Sequence, residues 1–409
     1  MKICQINCVY ANGSTGKIVK DIHESLLNTG FESIVCYGAK SADYGSNIYS
    51  LSYSSIRKIE HFRGNITGLP FGGAYFQTSK LLRIIKKEKP DVVHLHCING
   101  YDINIYWLLS YLAENKIKTI LTNHAEFFYT GSCGHAFECE QWVNGCKKCP
   151  QLKKATGAYF FDRTATAWKK MKACFDKFDA DKLIVTVVSP WVLQRASKSQ
   201  FFNKFEKQVV LNGIDTDNVF HIQDCTELRQ KYNLKNEQVI LHVTASFDTL
   251  NDSIKGGQHI LKLADKLKDT NTKIFVIANN YNYDKLPPNI HFIGRVADQL
   301  DLARYYSLAD ITLLTSKKET FSMPTAESLC CGTPVVGFKA GGPESIALKE
   351  YSDFVEYGDT EALTNACKEN LFAKKNNKIN VSCSAKDNYD KSVMINKYTE
   401  LYDQILRGN

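Results

Sequence analysis

The 409-residue chain predicts an α/β protein built from two doubly wound, Rossmann-like domains. Three observations carry this expectation. The chain is longer than one hydrophobic core ordinarily serves. Short, continuously apolar runs alternate with amphipathic stretches, the pattern of parallel strands covered on both faces. The alternation also breaks and restarts near residues 190–210. We place the domains at 1–195 and 205–388, with a last helix over 391–409 returning to the first domain.

The elements follow in order. "KICQINCVY" reads as a strand and "TGKIVKDIHESLLNTG" as an amphipathic helix stopped by Gly30. "ESIVCYG", "DVVHLHC", "KTILTNH" and "KLIVTVVS" are further strands, too apolar to leave one face wet. The second series opens with "KQVVLNGID", whose Asn212-Gly213 signals a turn, and continues through "QVILHVTAS", "TKIFVIANN", "IHFIGRV", "ITLLTS" and "TPVVGF". Ligands of such sheets bind at the carboxyl ends of the strands, so a cleft between two facing sheets is the expected site.

Composition narrows the class. The chain is 44% hydrophobic and 23% charged, without low-complexity tracts. No apolar run reaches the ~18 residues of a membrane span, and the N-terminus shows no secretory pattern. Most of the 14 cysteines are scattered singly through apolar segments, which suits a reducing cytoplasm. The net charge is +8, with basic residues gathered in "IRKIEHFRGN" and "SKLLRIIKKEKP". These read as solvated helix faces or as attraction to anionic lipid or phosphate. No nucleic-acid partner is expected.

Four motifs fall where strands hand over to helices. Gly13 and Gly16 flank a turn that can aim backbone amides at phosphate oxygens or serve as a plain turn. The fingerprint of a dinucleotide-binding turn is incomplete, and strand two ends without an acid for a ribose, so nicotinamide chemistry is not expected. His124 ends "KTILTNH" and can reach a ligand there, whereas His94 and His96 read as core histidines. Lys255 precedes a glycine pair opening a helix, where it reads as a surface lysine or as an ammonium that can sit over a diphosphate. In "KKETFSMPTAESLCCGTPVVGF", Glu319 and Glu327 flank a loop-to-helix junction with Pro324 inside its start and Gly332 at its end. The amides of roughly residues 320–325 then point outward for anions, and the two carboxylates can clamp neighbouring sugar hydroxyls.

A separate cluster, Cys133, Cys139, Cys146 and Cys149, is spaced C-x5-C-x6-C-x2-C. Four thiolates can close a tetrahedral shell, so a structural zinc is expected, against four reduced thiols or two disulfides. The loop lacks a secondary-structure period and needs such a brace.

These residues carry a resemblance. "ETFSMPTAE" followed by "CGTPVVGFKAGGPESI" resembles the E-x7-E region of the retaining GT-B glycosyltransferases of family four. "IHFIGRV", "YYSLADITLLTS", "LNGID" and "KGG" match that family too. "PDVVHLH" and "LTNHAEFFYTGSCGHAFECEQWVNGCKKCPQL" resemble a bacterial polysaccharide-assembly branch. The resemblance implies that Glu327 holds the ribose of a UDP- or GDP-sugar and Glu319 the transferred sugar, with the Phe321 and Ser322 amides nearby. Lys255 would contact the diphosphate, helped by the Gly13–Gly16 turn. Gly294, Arg295 and Val296 would face the base, and His124 the anomeric carbon. No catalytic cofactor is implied. The acceptor would be a carbohydrate or a polyprenyl-linked sugar, with peripheral contact to the inner face of an anionic membrane.

Two positions depart from the family pattern. "VTASFDTLNDSIK" lacks the arginine that usually precedes the lysine, so that either another cation such as Arg295 substitutes or diphosphate binding is weaker, and Glu126 stands where relatives often carry Asp. The rival expectations are a metal-dependent transferase using "DAD" (179–181) or "DTD" (215–217), and a catalytically silent nucleotide-sugar-binding subunit.

Overall fold

The computed structural model describes all residues except 41, 43, 251–252, 281–284, 374–375 and 409. The chain forms two compact units, Met1–Val210 with Ile395–Asn409, and Leu211–Met394. The first holds β1 (Lys2–Asn7), β2 (Glu32–Ala39), β3 (Ile48–Ser52), β4 (Val92–Leu95), β5 (Thr119–Asn123), β6 (Leu183–Val187) and β7 (Glu206–Val209). They make one parallel sheet in the order β3-β2-β1-β4-β5-β6-β7. Every residue of β4, β5 and β6 is buried, as expected for strands covered on both faces. The helix Gly13–Asn28 turns Ile18, Val19, Ile22 and Leu26 inward at helical spacing.

The second unit holds β8 (Gln238–Val243), β9 (Thr272–Ile277), β10 (Ile290–Gly294), β11 (Ile311–Leu314), β12 (Val335–Phe338) and β13 (Ser352–Val355), again all parallel, in the order β10-β9-β8-β11-β12-β13. Its core joins Ile240, Ile274, Ile311 and Val336 of the strands to Ile260, Leu263 and Ala264 of the helix Gly257–Lys266.

Two strands were not legible in advance, β3 and β13. Both lie at sheet edges and carry serine or aspartate, so their patterns are broken. One segment was misassigned. "KQVV" does not open the second unit but forms β7, pairing Ile184↔Glu206 and Val187↔Val209 with β6. The units divide between Val210 and Leu211, at the late end of the break expected over 190–210. An apolar strand followed by Asn-Gly looks the same whether it closes one sheet or opens the next.

The last helix, Lys391–Arg407, lies with the first unit from Ile395 onward. Its Tyr402 hydroxyl is 2.7 Å from His94 Nδ1 and its Tyr398 hydroxyl 3.1 Å from Thr122 Oγ1. Lys118 Nζ donates to the Leu406 carbonyl at 2.6 Å. Among the described residues, no helix is long and apolar enough to cross a membrane.

Candidate active site

In the second unit two loops leave the sheet side by side, one after β8 and one after β11. Lys255 is followed by Gly256, at φ +69°, and Gly257. A Cβ at 256 would lie 2.1 Å from the Thr315 carbonyl oxygen, and one at 257 would lie 2.4 Å from that of Asp248. Only glycines allow this approach. Thr315 Oγ1 donates to the Lys255 carbonyl at 2.9 Å, and the Lys317 amide donates to the Ile254 carbonyl at 2.7 Å. The result is that Lys255 Nζ donates to Glu319 Oε1 at 2.5 Å.

Glu319 is held from its other side as well. Its amide donates to the Ala340 carbonyl at 3.1 Å, and its own carbonyl accepts from Gly342 at 2.8 Å. A Cβ on Gly342 would stand 2.4 Å from the Thr320 carbonyl carbon. The Glu344 carboxylate accepts from the Ala340 and Gly341 amides at 2.9 and 2.7 Å, fixing that turn. This brace, "AGGPE", was quoted only within the resemblance and given no role from sequence; its glycines were the signal.

After Glu319 the backbone is strained. Ser322, a non-glycine, sits at φ +84° and precedes the helix Met323–Cys330. Phe321 and Ser322 are buried, and among the described residues neither amide has a hydrogen-bond partner. Buried amides seldom stay unpaired, and these lie at the positive end of a helix. The expected row of open amides is shorter than 320–325, because the Thr325 amide bonds the Ser322 carbonyl at 3.1 Å. Glu327, one turn on, accepts from the Tyr306 hydroxyl at 2.9 Å. Burial, then the neighbouring Glu327 charge, push Tyr306 well above its ordinary pKa, so the phenol stays protonated and donates. An ammonium, two unmatched amides and a helix terminus suit a phosphate; the flanking carboxylates suit hydroxyls.

Gly294 ends β10 at φ +85°, with open space where a Cβ would be. Arg295 after it is exposed and Val296 half-buried. β9 separates β10 from β8 in the sheet, so Arg295 belongs to a different strand end from Lys255. Asn251 and Asp252, in the stretch without the family's arginine, lie outside the described residues.

In the first unit Gly13 takes φ +65°, and a Cβ on Gly16 would meet Val9, Tyr10 and Ala11 at 3.2–3.3 Å. The Gly13 amide is capped by Asn12 Oδ1 at 2.9 Å, so that donor is spent within the protein. His124 follows β5 directly but is buried, and burial lowers its pKa to about 4. Its Nε2 is 3.2 Å from His96 Nδ1.

Glu126 is fully buried, 2.6 Å from Arg195 Nε, and accepts from the Tyr129 hydroxyl at 2.8 Å and the Ala136 amide at 2.6 Å. It therefore organises the cysteine loop. Trp142, also buried, donates to the Cys139 carbonyl at 2.7 Å. The loop thus has its own anchors, which its irregular sequence concealed. None of its four cysteines is in a disulfide. Among the described residues no group of three or more His, Cys, Asp or Glu is arranged to hold a metal ion. Burial and the neighbouring thiols nonetheless push Cys133 upward and Cys146 to about 12, so the four lie within electrostatic reach of one another.

The family models agree with this geometry. Residues 15–218 match "Glycosyltransferase Family 4" and residues 239–371 match "Glycosyl transferases group 1". The chain belongs to glycosyltransferase family 4. Among relatives, it is 21% identical to the putative colanic acid biosynthesis glycosyl transferase WcaC of Escherichia coli (strain K12), over 85% of this chain and 86% of that one. It is 25% identical to N-acetyl-alpha-D-glucosaminyl L-malate synthase of Bacillus anthracis, over 55% of this chain but only 61% of that one. Among solved structures, Anabaena Alr3699/HepE in complex with UDP and glucose superposes with a TM-score of 0.64 at 16% identity, covering 99% of this chain and 100% of that one. The fold of this glycosyltransferase is therefore GT-B.

Proposed function

We propose that this glycosyltransferase takes a sugar from a UDP- or GDP-sugar and passes it, with retained anomeric configuration and without a catalytic metal, to a carbohydrate or polyprenyl-linked acceptor in cell-surface polysaccharide assembly. The observation that carries the reading is the Lys255–Glu319 pair beside the unmatched Phe321 and Ser322 amides and the Tyr306-held Glu327. Lys255 and the amides meet the diphosphate; Glu319 accepts from the sugar's hydroxyls and Glu327 from the ribose. The Gly13–Gly16 turn and His124 are the first unit's contributions, and the backbone at Gly294–Val296 serves the base.

In the reaction the anomeric carbon–oxygen bond to the diphosphate breaks, with the developing charge met by Lys255 and the helix terminus. The acceptor oxygen bonds on the same face, and its proton passes to the departing phosphate. The bound UDP of the Anabaena structure and the colanic acid role in the Escherichia coli relative's name support donor and pathway class. Both Asp-x-Asp sequences are tied up by lysines: Asp179 with Lys116, Asp181 with Lys182, Asp215 with Lys391 and Asp217 with Lys386. That disfavours the metal-dependent rival. The test is a panel of UDP- and GDP-sugars, scored for thermal stabilisation and for turnover with magnesium or with EDTA. One donor should stabilise and turn over equally in both. Turnover only with magnesium would support the rival, and binding without turnover the silent subunit.

Contact with an anionic membrane is part of this reading. The expected cations, Lys80, Arg83, Lys86, Lys87 and Lys89, are all exposed on and just after the helix Tyr75–Glu88. The apolar component lies elsewhere, on the helix Ser54–Thr67. That helix buries Gly64 and Asn65 while Ile59 and Phe62 are each 66% exposed. Phe76, at 89%, and Phe160, at 72%, are exposed on neighbouring segments. Aromatics mixed with cations suit a lipid interface. Sedimentation with anionic vesicles, weakening with salt and absent with neutral ones, is the expected outcome; equal binding to both contradicts it.

A structural zinc on Cys133, Cys139, Cys146 and Cys149 remains our proposal for the cysteine loop, carried by their C-x5-C-x6-C-x2-C spacing, although as placed they form no metal-holding group. Their thiols would have to converge and deprotonate, which a cation favours and their mutual repulsion opposes. Elemental analysis of chelator-free protein should find about one zinc per chain. Metal-free, active protein with four titratable thiols contradicts it.

A further inference from the structure

We infer that His96 is a positioning residue for His124: its Nδ1–H donates to His124 Nε2, which leaves the proton of His124 on Nδ1. The inference rests on the reading of His124 as part of the transfer site, but its first measurement does not.

β4 and β5 are adjacent and parallel, and His96 and His124 follow their carboxyl ends, so the two rings meet at one level. Their centroids are 5.5 Å apart at 25°, with His96 Nδ1 3.2 Å from His124 Nε2. His96 is fully buried and His124 nearly so. The His94 ring lies 3.8 Å from that of His96 and is locked at both nitrogens, with Tyr402 at 2.7 Å and Thr122 at 2.8 Å. That fixed ring confines His96.

Burial holds both His96 and His124 below the ordinary histidine range, so each carries one proton at neutral pH. Their contact needs one donor and one acceptor, which leaves two arrangements. If His124 donated, His96 would carry its proton on Nε2. That nitrogen is buried and has no partner among the described residues. Orphaned buried N–H groups are rare and costly. With His96 donating, the unmatched nitrogen is a bare lone pair and no donor is stranded. His124 is then neutral, with its proton on Nδ1 and no room for one at Nε2. His96, which reads as plain core from sequence, sets that state.

The test is the imidazole spectrum of full-length, 15N-histidine-labelled protein, by long-range proton–nitrogen correlation at pH 7.5. The signals missing in His124→Gln identify His124 among the ten histidines. The expected result is Nδ1 protonated and Nε2 bare in the wild type. It should persist in His96→Asn, whose amide can replace the Nδ1–H, and shift toward Nε2–H in His96→Val. With the donor found in the nucleotide-sugar panel, kcat should fall about tenfold in His96→Val at unchanged donor KM, and recover in His96→Asn. Nε2–H in the wild type overturns the inference, as does an unshifted tautomer in folded His96→Val. The wild-type spectrum decides even if His96→Val fails to fold. The expected tautomer together with full activity in His124→Gln would uphold the pairing and refute the catalytic reading of His124.

Discussion

Lys255 and Glu319 form an ion pair at 2.5 Å between two loops that leave neighbouring strand ends. Each is the other's partner before any ligand arrives, so a bound diphosphate has to share the ammonium with Glu319. Groups coupled this way do not contribute additively. Glu319→Ala should lower kcat/KM by about 2–4 kcal/mol, as loss of one preorganised contact does. Lys255→Ala should cost a similar amount, and the double variant well under the sum. A double-mutant cycle on turnover checks this, and full additivity would mean that the pair acts on different steps.

Glu327 is oriented by Tyr306. Tyr306→Phe removes one hydrogen bond from a half-buried carboxylate and should weaken nucleotide binding by about 1 kcal/mol, with kcat little changed. Glu327→Ala should weaken it more. Calorimetric titration with UDP and GDP separates the two variants; unchanged affinity in both would remove Glu327 from the nucleotide site.

Gly342→Ala tests the brace behind Glu319. The new methyl would meet the Thr320–Phe321 backbone well inside contact distance. Overpacking of this kind costs roughly 1–3 kcal/mol of stability, and here it also displaces Glu319. Activity should fall at least tenfold at a temperature where circular dichroism shows the chain folded. A stable, fully active variant would mean that the loop tolerates movement.

The histidine cluster sets an acid limit. Burial lowers His94 and His96 well below 6.5 and His124 to about 4. The unfolded chain therefore binds more protons between those values and 6.5. The stabilisation is complete above about pH 6.5 and is lost as pH falls toward 4, at roughly 1.4 kcal/mol per pH unit for each histidine. Urea midpoints at pH 7.5, 6.5 and 5.5 should be level at first and then drop. A flat profile down to pH 5 would mean that the cluster opens to water.

The alternation of apolar strands and helices made the two-sheet fold legible, because buried parallel strands cannot hide their composition. What escaped was at the margins. β3 and β13 are edges with polar residues, and β7 looks like an opening strand until its pairing with β6 is known. The ends of the site were legible as residue types: Glu319, Glu327 and Lys255 stand beside Gly, Pro and strand ends. Their partners were not. Tyr306, Thr315 and Glu344 reach the site through hydrogen bonds that no spacing announces. His96 reads as core because it is buried; only its 3.2 Å approach to His124 gives it a further part.

The central claim is that the second unit's Lys255, Glu319 and Glu327 hold a nucleotide diphosphate sugar for transfer. The most direct measurement is proton NMR of the panel-selected UDP- or GDP-sugar with wild type and Glu319→Ala, in EDTA, following the anomeric signals of donor and product. The account predicts consumption by wild type with product in the donor's anomeric configuration, and consumption by Glu319→Ala slower by at least about thirtyfold, the lower end of a loss of about 2–4 kcal/mol. Inverted product, or equal rates from the two proteins, would contradict it.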